Sequence, residues 1–198
     1  MGYFLLGLVR LLTGAQARWV GCPPKAEQRI YFANHQSHAD LVLLWAALPK
    51  ELRGITRPVA AKDYWTRTPF KRWITTAVFH AVYVERERRD GEDPLEPLIA
   101  ALQGGDSIIL FPEGTRGSTG EPGPFKAGLY NLACQFPNVV LVPAWINNVQ
   151  RVMPKGEVVP VPILCSVTFG APMQLLDGED RHRFLERARS AVLELRDL

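Results

Sequence analysis

Arg29-Ile30-Tyr31-Phe32-Ala33-Asn34-His35-Gln36-Ser37-His38-Ala39-Asp40-Leu41-Val42-Leu43-Leu44 is the stretch on which the reading of this chain turns. Its first five residues form a run of strand length without polar alternation, the pattern of a strand covered on both faces. From Asp40 onward the apolar residues carry on in a helical pattern over 40–48. Between the two lies a short turn crowded with groups that can hold or move a proton. Strand, polar turn and helix follow one another within sixteen residues.

The same alternation extends outward. Apolar runs of strand length recur at 58–61, 81–84, 107–111, 139–145 and 164–169, several of them rich in β-branched residues. Helical patterns cover 69–79, 94–102, 125–134 and 181–195. Strands alternating with helices predict an α/β fold: a single domain with a mostly parallel or mixed sheet flanked by helices. Neither an internal repeat nor a low-complexity linker divides the chain. The order of the strands is not contained in the pattern.

With 198 residues, 47% of them hydrophobic and 22% charged, the chain can bury a core and is not of disordered composition. The net charge of +3, without a Lys/Arg run interleaved with aromatics, gives no support to a nucleic-acid partner. It does suit an anionic membrane surface or a phosphate-bearing substrate. Cys22, Cys134 and Cys165 are odd in number and lack C-x-x-C spacing, so they read as buried free thiols of a reducing compartment.

The apolar start, Tyr3 to Val9, is interrupted by Arg10 and Arg18 before it reaches the roughly 20 residues a spanning helix needs. It also lacks the charge order of a signal peptide. Residues 1–20 are therefore expected to form a short amphipathic segment lying on a bilayer, and 21–198 the domain proper. Residues 62–73 offer a second lipid contact, with Lys62, Arg67, Lys71 and Arg72 beside Tyr64, Trp65, Phe70 and Trp73.

In the turn, unperturbed histidine is the side chain best placed to accept a proton near neutral pH, and a carboxylate on its other ring nitrogen would fix the tautomer. His35 and Asp40 can meet in this way. Two other readings stand beside that one. Ser37 and Asp40 have the S-x-x-D spacing of a helix start, and His35, His38 and Asp40 could hold a metal, although H-x-x-H-x-D is not a usual zinc spacing. A second candidate segment is 114–124, where four glycines and two prolines follow a buried strand at the end of a sheet where α/β proteins bind ligands.

Asn34-His35 through Asp40 resembles the N-H-x-x-x-x-D block of the glycerolphosphate and 1-acylglycerol-3-phosphate acyltransferases. Three further blocks follow in that family's order. His80-Ala81-Val82-Tyr83-Val84-Glu85-Arg86 is similar to G-x-x-F-x-x-R, and Phe111-Pro112-Glu113-Gly114-Thr115-Arg116 matches F-P-E-G-T-R throughout. Val142-Pro143 resembles the fourth, and Phe125-Lys126-Ala127-Gly128 the F-K-x-G continuation.

The resemblance implies an acyltransferase-type fold and transfer of a fatty acyl group from acyl-CoA or acyl carrier protein to a lysophospholipid hydroxyl. The acceptor it favours is 1-acyl-sn-glycerol-3-phosphate, giving phosphatidic acid. His35 and Asp40 become the catalytic dyad, and Arg86, Glu113, Gly114, Thr115, Arg116 and Lys126 the substrate-binding set. No metal and no bound cofactor is expected, and the implied place is the cytoplasmic face of a membrane, peripheral or monotopic. His80, where the family usually has glycine, leaves room for a different lyso-lipid acceptor. A non-catalytic lipid-binding module is the alternative from another class.

Overall fold

The computed structural model describes residues 16–37, 39–85, 93–117, 120–147 and 165–198. Residues 1–15 of the expected membrane-surface segment (1–20), His38 and Arg86 lie outside the described residues. Seven strands form one sheet: β1 (Gln16–Trp19), β2 (Arg29–Ala33), β3 (Thr56–Ala61), β4 (Val82–Val84), β5 (Ser107–Leu110), β6 (Val140–Asn147) and β7 (Ser166–Phe169). Their order is β1-β7-β6-β2-β5-β3-β4. β2 to β6 run parallel to one another, while β7 is antiparallel to β6 and carries β1 parallel beside it. The sheet is thus mixed, as the pattern allowed.

The helices are α1 (Asp40–Ala47), α2 (Lys50–Gly54), α3 (Lys62–Trp65), α4 (Pro69–Trp73), α5 (Glu96–Gln103), α6 (Gly128–Gln135) and α7 (Arg181–Glu194). A π-helical stretch, Ile74–Val78, prolongs α4. All five residues of β2 are buried, because both faces are covered. Tyr31 and Ala33 enter a cluster with Leu41, Leu44, Trp45 and Phe79 on the α1 side. Ile30 and Phe32 enter another with Leu98, Leu129, Leu132 and Phe184, under α5, α6 and α7. The period-two alternation of a strand thus serves two hydrophobic layers at once.

Three details depart from expectation. Gln16 to Trp19, counted with the N-terminal segment, form an edge strand in register with Ser166 to Phe169; its three exposed residues gave no apolar run to read. β6 runs on through Pro143 to Asn147 rather than stopping near 145. Cys22 and Cys165 are buried as expected, but Cys134 is exposed, because α6 turns Leu129, Leu132 and Ala133 inward and leaves Cys134 outside.

Candidate active site

β2, β5, β3 and β4 all deliver their carboxyl ends to the same edge of the sheet, and β2 lies next to β5. The turn after β2 and the F-P-E-G-T-R segment after β5 are therefore neighbours in space. Asn34 begins the turn. Its side-chain amide donates to the Ile146 carbonyl (3.1 Å) and accepts from the Ile146 N–H (2.8 Å), adding a rung between β2 and β6 beyond the last backbone pair. Sequence reasoning gave Asn34 no task of its own, since its partner lies 112 residues away.

His35 is gripped on three sides. Its backbone N–H donates to Glu113 Oε1 at 2.7 Å, and its carbonyl accepts from the Gly117 N–H at 2.8 Å. Its ring stacks on Phe111, with centroids 4.4 Å apart and planes 19° from parallel. Its Nδ1 lies 2.9 Å from Asp40 Oδ2. That same oxygen accepts the N–H groups of Gln36 (2.6 Å) and Ser37 (2.8 Å).

Asp40 thus unites two of the readings left open by the sequence. It does satisfy backbone donors, but those of the turn that precedes the helix, and it also orients the imidazole. The Asp40 side chain is 1% exposed and that of His35 16%. A carboxylate holding backbone N–H groups accepts and does not donate, so His35 carries its proton on Nδ1 and keeps the Nε2 lone pair free. Burial and the nearby Asp40 charge also push the Cys165 thiol up to about 11, which keeps that cysteine protonated and inert. The metal reading needs His38, which lies outside the described residues.

Glu113 is 6% exposed, and both its carboxylate oxygens are engaged. Oε1 takes the His35 N–H and Oε2 the Gly123 N–H, at 2.7 and 2.8 Å. Gln36 Nε2 adds a bond to the Gly120 carbonyl (3.1 Å). Gly117 lies close to this carboxylate: a Cβ at this position would lie 3.3 Å from Glu113 Oε2. The loop and the turn form one hydrogen-bonded knot.

The remaining candidates lie on its rim. Gly114, Thr115, Arg116 and Lys126 are exposed. Gly114 has φ +67°, the left-handed region that favours glycine, and a Cβ there would fall 2.7 Å from Lys126 Nζ, so the lysine that crosses it would have to shift. An apolar cavity of about 380 Å³ opens beside this rim, lined among others by Leu95, Leu110, Phe111, Leu129 and Lys126. The structure therefore separates the predicted set into an inner group (His35, Asp40, Glu113) and an outer one (Gly114, Thr115, Arg116, Lys126).

His80 is exposed and is the one described residue other than glycine with a positive φ, +48°. It ends the π-helical stretch and starts the approach to β4. Glycine adopts this conformation most easily, which accounts physically for the residue type usual at this position in the resembling block.

A family model described as Acyltransferase matches residues 22–147. The chain belongs to the acyltransferase family. Among curated members, the chloroplastic 1-acyl-sn-glycerol-3-phosphate acyltransferase of Arabidopsis thaliana is 28% identical over 135 residues, 68% of this chain and 36% of that protein. The human 1-acyl-sn-glycerol-3-phosphate acyltransferase alpha is 29% identical over 138 residues, 68% of this chain and 46% of that one. The chain thus matches about a third to a half of the length of these relatives. The crystal structure of the 1-acyl-sn-glycerophosphate acyltransferase PlsC from Thermotoga maritima shares the acyltransferase fold. It superimposes with a TM-score of 0.69 at 21% identity, covering 98% of this chain and 80% of that one. No helix among the described residues is long and apolar enough to cross a membrane.

Proposed function

We propose that the chain transfers an acyl group from a thioester of coenzyme A or acyl carrier protein to the free hydroxyl of 1-acyl-sn-glycerol-3-phosphate, giving phosphatidic acid. The observation that carries this reading is the 2.9 Å contact between His35 Nδ1 and Asp40 Oδ2, which leaves Nε2 as a base. Nε2 takes the proton of the acceptor hydroxyl as its oxygen attacks the thioester carbonyl carbon. The tetrahedral intermediate collapses with cleavage of the C–S bond, and the departing sulfur receives the proton from the imidazolium. Asp40 stabilises the charged imidazole between the two transfers.

The hydroxyl of Ser37, in the same turn, is buried, and its Oγ accepts the Ala39 N–H (3.2 Å). In this reading the acceptor hydroxyl itself is the nucleophile, and no acyl-enzyme is required. Arg116, exposed and without an ion-pair partner among the described residues, offers a planar fork for phosphate, with Lys126 across Gly114 as a second cation. The apolar cavity beside them suits a hydrocarbon chain. Glu113, which the resemblance places in the substrate-binding set, works in this reading through the backbone of His35, since both its oxygens are engaged by N–H groups. Both lipid substrates imply action at a bilayer surface.

A panel of lyso-lipid acceptors against acyl-CoA and acyl carrier protein donors, run with wild type and His35→Ala, tests the assignment. Turnover confined to phosphate-bearing lyso-lipids and abolished by His35→Ala is expected. Near-normal transfer by folded His35→Ala would refute the mechanism, and a preference for a phosphate-free acceptor would refute the substrate.

A further inference from the structure

Most of the surface follows the usual rule that large apolar side chains are covered. Among the described residues the exposed exceptions are Val20, Phe70, Trp73, Leu176 and Leu198, and two of these five sit on one short helix. Phe70 is 67% and Trp73 40% exposed, and their rings stack at 6.4 Å with planes 24° apart. With exposed Ala77 they occupy positions i, i+3 and i+7, a single face running from α4 into the π-helical stretch. Neither α3 nor α4 has a buried residue, so no described element covers this face.

The charges around it are cationic. Segment 62–80 holds four cations, Lys62, Arg67, Lys71 and Arg72, against one anion, Asp63, so its net charge equals the +3 of the entire chain. Lys62 is paired with Glu85 at 2.8 Å, and Lys71 Nζ lies 3.7 Å over the Tyr64 ring. Arg67 uses its Nε on the Asp63 carbonyl. Arg67 and Arg72 border an open cleft of about 550 Å³ completed by Thr66, Pro69, Trp73 and Thr76. This segment leaves the carboxyl end of β3, the same edge of the sheet as His35 and Arg116.

We propose that the Phe70–Trp73–Ala77 face, with the Arg67–Arg72 cleft beside it, is the surface by which the chain docks on an anionic lipid bilayer. Stacked aromatics enter the boundary between headgroups and acyl chains, where amphipathic rings are most stable, and the two guanidinium groups meet lipid phosphates at the level above them. A bare Phe70–Trp73 face bordered by the exposed guanidinium groups of Arg67 and Arg72 fits a planar, two-layered partner better than a second protein core. Because the face shares its edge of the sheet with the His35 turn, docking brings that turn to the surface where lyso-lipids reside. The inference rests on the proposed function for the meaning of the docking, but not for its detection.

The test is sedimentation of the full chain with vesicles of phosphatidylcholine alone and of phosphatidylcholine with phosphatidylglycerol, at low and high salt. Sedimentation velocity without lipid accompanies it. Wild type is expected to bind the anionic vesicles, and Phe70→Ser/Trp73→Ser to lose on the order of tenfold in partition at both salt concentrations. Arg67→Gln/Arg72→Gln is expected to lose about fivefold per arginine at low salt and little at high salt. Both variants should keep wild-type turnover on a water-soluble short-chain acceptor, which also shows that they fold. Unchanged vesicle binding by the aromatic variant would overturn the proposal. So would a wild-type dimer that this variant dissociates, since the face would then be an interface between copies. Vesicle binding as expected with no acyl transfer on any acceptor would sink the proposed reaction and leave the docking surface standing.

Discussion

Two segments leave the same edge of the sheet, one after β2 and one after β3 with β5 between them, and are built in opposite ways. The turn after β2, joined to the loop after β5, closes on itself: Asp40 and Glu113 are buried, and their oxygens accept five hydrogen bonds from the turn, the loop and the His35 ring. The segment after β3 opens outward, with the rings of Phe70 and Trp73 and the guanidinium groups of Arg67 and Arg72 exposed. A proton acceptor must be held in place, so its surroundings are fixed by directional bonds inside a low-dielectric site. A surface that meets a fluid partner needs area and charge rather than registration. Rigidity and exposure are divided between two loops that the sheet places at one edge.

The largest effect should come from breaking the inner knot at its chemical end. His35→Ala is expected to lower kcat about 10³-fold, within the range of general-base removal, while the loss of the Phe111 stack and the Asp40 contact lowers thermal stability by far less than would unfold the chain. A loss below tenfold in a folded variant would show that Nε2 is not the base.

The next effect separates geometry from ligand contact within one motif. Glu113 meets two N–H donors with two acceptor oxygens, a task that only a carboxylate performs. Glu113→Gln keeps the shape but turns an NH₂ toward one of those donors, leaving a buried pair of like dipoles. The expected cost is about 1–3 kcal/mol of stability. In kinetics kcat should fall by one to two orders of magnitude with KM for the acceptor nearly constant, because the residue acts on the position of His35. Arg116→Gln should do the reverse. It leaves stability unchanged, and KM for a phosphate-bearing acceptor rises about tenfold, the loss of one charge-assisted contact. Equal KM effects in the two variants would erase the distinction between the inner and outer groups.

How much of this was legible in the sequence follows the same division. The β2–turn–α1 unit was readable because its parts are contiguous: the apolar run, the helix and both members of the His35–Asp40 pair lie within sixteen residues. Helix α7 was readable for the same reason, with Asp180 accepting from the Arg183 N–H at 3.1 Å to start it. What stayed hidden depends on distance or on the backbone. Glu113 reaches His35 across 78 residues and touches its peptide N–H, which no side-chain pattern encodes. The family resemblance grouped Glu113 with Arg116 because they are three residues apart, whereas the fold buries one and exposes the other. β1 lacked an apolar run because it is an edge strand with three of four residues exposed. Cys134 was misjudged because an apolar neighbourhood in sequence does not say which side of a helix a residue faces.

The smallest effect concerns His80, at the hinge between the exposed segment and β4. A left-handed conformation costs an L-residue roughly 1–2 kcal/mol, and glycine avoids this but has more unfolded-state entropy to lose. His80→Gly should therefore stabilise the fold by about 0.5–1 kcal/mol in denaturant melts, the balance of those two terms. His80→Val should destabilise it by more than that, since a β-branched side chain tolerates φ +48° worst. The kinetic arm matters more than the stability one. If His80 merely occupies a turn that glycine fills more easily, the ranking of acceptors will be the same for His80→Gly and wild type. A changed ranking, with the fold intact, would mean that the exposed imidazole meets the acceptor. The boundary between the outward-facing segment and the site would then have to be drawn on the other side of residue 80.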